Sequence, residues 1–104
     1  MTSWATHWID KLQHGETVTL NPRGNSMTPK IMSGQQVTVA PLKPEDRVEI
    51  GDIVMCRVHG MDYLHLVTSI TGNQETFQIS NNHNHVNGSC SRQKIYGKVT
   101  KVGI

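Results

Sequence analysis

Apolar and polar positions along the chain change period once, at Gly15. Before it, Trp4, Trp8, Ile9 and Leu12 fall on one face at helical spacing, with Asp10 and Lys11 opposite. Ser3 is placed to cap such a helix and Gly15 to stop it, so the pattern predicts a helix over about 3–13. The expected role is a helix docked on the domain; a Trp-bearing surface for a membrane or partner is the rival reading. After Gly15 the period becomes two. Thr17-Val18-Thr19-Leu20 alternates, Asn21-Pro22 turns the chain, and Val37-Thr38-Val39 alternates again. Pro41 to Glu49 reads as a polar connection. Gly51-Asp52 is a turn that starts Ile53 to Val58, His59-Gly60-Met61-Asp62 reads as a hairpin turn, and Tyr63 to Ile70 as the return strand. Gly72-Asn73 turns again before Thr76-Phe77-Gln78-Ile79. Ser80 to Ser91 reads as a polar loop and Ile95 to Val102 as a last strand. Short strands with turn signals at this spacing predict a mostly β, antiparallel domain with one short N-terminal helix.

Length keeps this to one domain, 1–104, with a β core over about 17–102. With two Trp, two Tyr and one Phe, the core must rest on Val, Ile, Leu and Met. The net charge of +2 is small and the basic residues are scattered, so a nucleic-acid partner is not expected. No apolar run approaches the ~20 residues of a membrane span, and no secretory signal is visible, so a cytoplasmic protein without a membrane anchor is expected. Asn87-Gly88-Ser89 fits a glycosylation sequon, which without such a signal is read as chance. Cys56 and Cys90 lack a CxxC spacing and read as free thiols in a reducing compartment.

The chemistry starts at Gly24-Asn25-Ser26-Met27-Thr28-Pro29, followed by Gly34 and the alternating run from Gln36. A serine hydroxyl is a weak nucleophile until it is exposed, fixed and placed beside a base. Gly24 allows a tight turn and leaves room for a substrate, and Pro29 stops the loop from relaxing into a helix. The second element is Gly51-Asp52-Ile53-Val54, a hairpin, then Leu64-His65-Leu66-Val67. Period two puts Tyr63, His65 and Val67 on one face and Leu64 and Leu66 on the other. A lone histidine in an apolar strand is either a hydrogen-bonded structural residue or a base of ordinary pKa near 6.5, able to take a serine proton at pH 7.

Gly-x-Ser-Met-x-Pro followed by Gly and a strand resembles the serine box of the peptidase clan that holds signal peptidases and self-cleaving repressors (S24/S26). The likeness runs over about residues 20–102 and implies that clan's antiparallel β fold. In it a Gly-Asp turn opens the strand that pairs with the strand of the base, a lysine in some members and a histidine in others. The matching position here is His65, so the resemblance implies a Ser26/His65 dyad and a serine peptidase, with no cofactor. Gly24, Asn25, Met27 and Pro29 would form the substrate and oxyanion loop, with the Ser26 backbone N–H holding the oxyanion. The likeness is to small soluble cores of phage or bacterial origin.

The third element departs from the pattern. Histidine-type members carry a carboxylate after the next strand, whereas Ile79 to Gly88 here contains neither Asp nor Glu. Ser80 falls where one aspartate would be, and Val86 or Asn87 near the other. Asn82 or Asn87 is left to orient His65, through a carbonyl without charge, which predicts a slow enzyme or none. The plain reading of this loop is an asparagine-rich turn that satisfies its own backbone. His83 and His85 offer a metal pair with His65 or Cys90, but the spacings fit no standard zinc pattern and no metal is expected. Lys94 and Lys98 lie outside the strand where the family's lysine occurs, and Lys30 reads as exposed. The expected partner is a protein or peptide lying extended along a strand edge: a cytoplasmic protein, or a second copy cleaved intermolecularly. The rival class is a module that keeps the fold and binds a peptide or regulatory protein without turnover. A DNA-touching regulator comes last, for want of a helix-turn-helix segment. Members of the clan pair through β-strands, which leaves a homodimer open.

Overall fold

The computed structural model describes residues 3–103. Helix α1 spans Thr6–Gln13. The strands are β1 (Val18–Leu20), β2 (Val37–Pro41), β3 (Ile53–Val58), β4 (Met61–Thr71), β5 (Thr76–Ser80), β6 (Val86–Ser91) and β7 (Ile95–Val102), with a 3-10 turn at Arg92–Lys94. All pairings are antiparallel, in one sheet of order β1-β2-β7-β3-β4-β5-β6.

The sheet curls until β6 lies near β3, which its order in the sheet places three strands away. Curling gives it two cores. On one side α1 lays Ile9 and Leu12 over Val18, Leu20, Val37, Val39, Met55 and Leu64. On the other, Val54, Cys56, Val58, Val67, Phe77, Ile79 and Ile95 close around themselves. Strand β3 feeds both, so its sequence is apolar on both faces instead of alternating with polar residues. Leu64 and Leu66 join the α1 core, while Tyr63 and Val67 join the other. Cys56 and Cys90 are free, buried and in contact, and the Cys90 sulfur and burial push the Cys56 thiol far up.

Three expectations need correction. The helix starts at Thr6, with Ala5 in the cap position, so Ser3 stands too early to cap it: its hydroxyl oxygen accepts the Ala5 N–H at 3.2 Å and its hydroxyl proton goes to the Asp62 carboxylate. Met61 and Asp62 are not turn residues, because the hairpin closes on His59-Gly60 alone. Both have positive φ, 49° and 79°, as a tight two-residue turn demands. Within Ser80 to Ser91 lies a strand, β6, instead of a continuous loop. It is an edge strand, and only Cys90 of its six residues is buried, so the apolar alternation that marks a strand is missing. The connection after β2 also has a buried anchor. Val48 is fully buried, and the Gln74 side chain makes hydrogen bonds to both its N–H and its C=O.

Gly97 shows why α1 can sit so close. A Cβ there would stand 2.8 Å from the Ala40 carbonyl oxygen and 3.0 Å from Leu12 Cδ2. Gly97→Ala is expected to lower stability by roughly 1–3 kcal/mol through overpacking. Urea denaturation followed by circular dichroism checks this, and an unchanged midpoint would show that β2 and α1 give way freely.

Candidate active site

Residues 21–35 form a loop tied at its base. Asn21 Nδ2 donates to the Gly34 carbonyl at 3.0 Å, and Gly34 N–H to the Pro22 carbonyl at 2.7 Å. Gly24 has φ 107°, where side chains are strained, and its N–H donates to Ser33 Oγ. Met27 and Ile31 are buried in the α1 core and pin the loop from beneath. Ser26, between Gly24 and Met27, is left exposed.

The turn between β5 and β6 grips this loop from the other side. Asn82 N–H donates to the Ser26 carbonyl at 2.8 Å, and Asn82 Nδ2 to the Thr28 carbonyl at 2.9 Å. His83 Nε2 lies 2.9 Å from the Asn25 carbonyl and 3.1 Å from Thr28 Oγ1. The backbone of Ser26 is thus fixed by groups from two separate segments.

Strand β4 brings the histidine. Val54 pairs with His65 in the β3–β4 register, and the Gly51-Asp52 turn is hydrogen-bonded at both ends to Val67, two residues further on. His65 is 8 % exposed and stacks on Tyr63, with ring centroids 4.9 Å apart. Its Nε2 lies 3.1 Å from Ser26 Oγ. Its Nδ1 lies 2.7 Å from Asn87 Oδ1. The amide oxygen has no proton to give, so Nδ1–H donates to it. That fixes the tautomer and leaves the Nε2 lone pair facing the serine hydroxyl. Burial pushes the His65 pKa down, the hydrogen bond to Asn87 pulls it up, nearby His85 pushes it down further, and the net direction is below 6.5. The imidazole is therefore neutral at pH 7.

Of the two asparagines considered for orienting His65, Asn87 makes the contact and Asn82 holds the serine loop. Ser80 is buried and hydrogen-bonds Thr68, not His65. Lys98 pairs with Asp52 at 3.5 Å. Gly24, Asn25, Met27 and Pro29 all belong to the Ser26 loop, with the Asn25 carbonyl and Thr28 Oγ1 turned to His83. Among the described residues no three His, Cys, Asp or Glu side chains come together as a metal site would need.

A half-buried ion pair that the sequence pattern did not reveal joins β3 to the start of β4, three residues before His65. Arg57 Nε donates to Asp62 Oδ1 at 2.7 Å, and Trp4 Nε1 donates to the Asp62 carbonyl at 3.3 Å. Burial pushes the Asp62 carboxyl up, and the hydrogen bonds from Arg57 and Ser3 outweigh it, so its pKa stays below the usual carboxylate value. The signal was available: across a two-residue turn at His59-Gly60, Arg57 and Asp62 are directly opposite.

Among the described residues, then, one curled antiparallel sheet holds a serine, a histidine and an asparagine in a hydrogen-bonded row. The model of the family described as Peptidase S24-like matches residues 1–100, and the chain belongs to that family. No curated protein matches the chain. No helix of the described residues is long and apolar enough to cross a membrane.

The opposing influences on His65 give a signed expectation. Its ring should titrate below 6.5 by NMR in the wild type. Asn87→Ala removes an influence that raises the pKa and should move the midpoint lower still. Asn87→Asp puts a negative charge on Nδ1–H and should move it upward. A midpoint unmoved by either change would mean that Asn87 does not hold the ring in solution.

Proposed function

We propose that the protein is a serine peptidase in which Ser26 is the nucleophile, His65 the general base and Asn87 the residue that positions His65. The row from Ser26 Oγ through His65 to Asn87 Oδ1 carries this reading, at 3.1 and 2.7 Å. Ser26 Oγ would attack a peptide carbonyl while its proton passes to His65 Nε2. The imidazolium then returns that proton to the leaving amine, and water enters by the same route to release the acyl group. The Ser26 N–H donates to no acceptor among the described residues, so it is free for the oxyanion.

An extended substrate has an edge to pair with. Strand β4 is bound to β3 from Met61 to Leu66, but its pairing with β5 runs only from Leu66 to Thr71, and β5 ends at Ser80 opposite Leu66. Residues 61–65 therefore have one edge without a strand partner among the described residues, and this stretch ends at His65. The substrate we propose for this edge is an extended segment of another protein, or of a second copy of this chain.

Asn87 orients His65 but supplies no charge to stabilise the imidazolium, so turnover is slower than with a carboxylate in its place. The same observation supports a second reading, in which the fold binds a peptide on this edge and does not cleave it.

Incubation with a proteome-derived peptide library, read by mass spectrometry, separates the two. The peptidase reading expects new termini with wild-type protein and none with Ser26→Ala or His65→Ala. Cleavage that persists in Ser26→Ala would reject the nucleophile. Where cleavage is seen, its rate should hold at pH 7 and fall only as the medium is acidified through the lowered His65 pKa, below 6.5. Asn87→Asp should speed cleavage at pH 8 by stabilising the imidazolium, and should move the acid limb to higher pH.

A further inference from the structure

The residue that holds the imidazole is followed by Gly88, and of the chain's asparagines only Asn87 precedes a glycine. An asparagine in that setting is chemically labile. With no side chain on the next residue, the following backbone nitrogen can reach the amide carbon. The fold keeps the two residues together. Gly88 has φ 141°, and a Cβ on it would stand 2.8 Å from Val58 Cγ1 and 2.9 Å from His59 Nε2, so glycine alone fits there.

Three features open the Asn87 amide to that reaction. The β5–β6 register pairs Ser80 with Val86 and Ile79 with Gly88, and so passes over Asn87, which is a bulged residue. A bulge takes its residue out of the ladder, whose flat extension would hold the next nitrogen away from Cγ. The His65 Nδ1–H donates to Oδ1 at 2.7 Å, which draws electrons from Cγ and favours attack on it. Asn87 Nδ2 makes no hydrogen bond among the described residues. No side-chain nitrogen or oxygen there is both buried and unpartnered, so this half-buried residue turns its leaving nitrogen to water.

We propose that Asn87 is a self-modification site, at which the chain converts its own amide into the carboxylate that His65 lacks. The Gly88 nitrogen bonds to Asn87 Cγ, the Cγ–Nδ2 bond breaks, and ammonia leaves with the Gly88 proton. Water then adds to Cγ of the cyclic imide, the bond from Cγ to the Gly88 nitrogen breaks, and that nitrogen regains a proton. The net change is amide plus water to carboxylate plus ammonium, with no oxidant or reductant. Opening at the backbone carbonyl instead gives isoaspartate and a lengthened main chain. His65 selects between the two, because its N–H polarises the Cγ carbonyl and not the backbone one. Aspartate, with the main chain intact, is the favoured product. Resting on the reading of His65 as the base for Ser26, the conversion replaces an uncharged orienting group with one that stabilises the imidazolium. The freshly folded protein is then the slow form and the aged protein the fast one.

The test holds wild-type protein folded at pH 8 and samples it over time. Peptides covering residues 86–91 are sequenced by a fragmentation that separates aspartate from isoaspartate. Asn87 should lose its amide while Asn81, Asn82 and Asn84 keep theirs, and aspartate should exceed isoaspartate. In urea, and in folded His65→Ala, the balance should pass to isoaspartate. In step with the converted fraction, the His65 NMR midpoint should rise toward that of freshly made Asn87→Asp. Asn87→Gln, whose longer side chain closes such a ring far more slowly, should show neither change. An amide that persists at Asn87 in the folded protein while the chain in urea loses it would overturn the proposal. So would isoaspartate as the main folded product, a product balance that is the same without His65, or a His65 midpoint that stays put. Serine reactivity is read separately: labelling by a serine-directed phosphonate should quicken as the aspartate fraction grows. Conversion with the His65 shift but without labelling at any age upholds the modification and rejects Ser26 as the nucleophile.

Discussion

The hydrogen bond from His65 Nδ1–H to Asn87 Oδ1 is the constraint on which the site depends. A buried imidazole without it would be free to choose its tautomer and its ring orientation. With it, one nitrogen is committed as a donor and the other faces Ser26 as an acceptor. The bond requires β4 and β6 to come within reach although β5 lies between them in the sheet. Curling of the sheet allows this. The register shift in β5–β6 between Ile79 and Ser80 sits close to where Asn87 leaves the edge. The second core, around Phe77 and Ile79, holds that curl in place.

The serine comes from the other core. Met27 and Ile31 are sunk beneath α1, so the short span between Gly24 and Met27 has little freedom to move. Asn82 and His83 then join the loop to the β5–β6 turn. Ser26 on its core-pinned loop and His65 on β4 are thus fastened to each other by an asparagine-rich turn. That turn does two jobs that sequence alone merges into one: Asn82 fixes the serine backbone, and Asn87 fixes the imidazole.

Much of this was legible in the sequence because it follows from local rules. Strand β7 was readable over its full length, Ile95 to Val102, from apolar alternation. The serine loop showed itself through Gly24, Pro29 and Gly34, and His65 through its isolation in an apolar strand. Strand β6 was not legible, since an edge strand with one buried residue carries no periodic signal. Without β6 there was no register, and without a register Asn82 and Asn87 could not be told apart. The role of Ser3 was hidden for a different reason. A serine just before a helix is a good cap by local preference, but the helix begins only at Thr6, and the Ser3 hydroxyl ties the N-terminal segment to a buried carboxylate from β4 that is paired with Arg57. Tertiary contacts of this kind leave no trace in the spacing of residues.

Activation of Ser26 through His65 is what makes the row from Ser26 to Asn87 an active site in the reading proposed above. Intact-mass spectrometry after incubation with a serine-directed phosphonate at pH 8 tests it most directly, on wild type, Ser26→Ala and His65→Ala. One adduct is expected on the wild type, mapping to Ser26, and none on either variant. An adduct of equal rate on His65→Ala, or an unreactive wild type whose Ser26–His65–Asn87 row is intact by NMR, would contradict it.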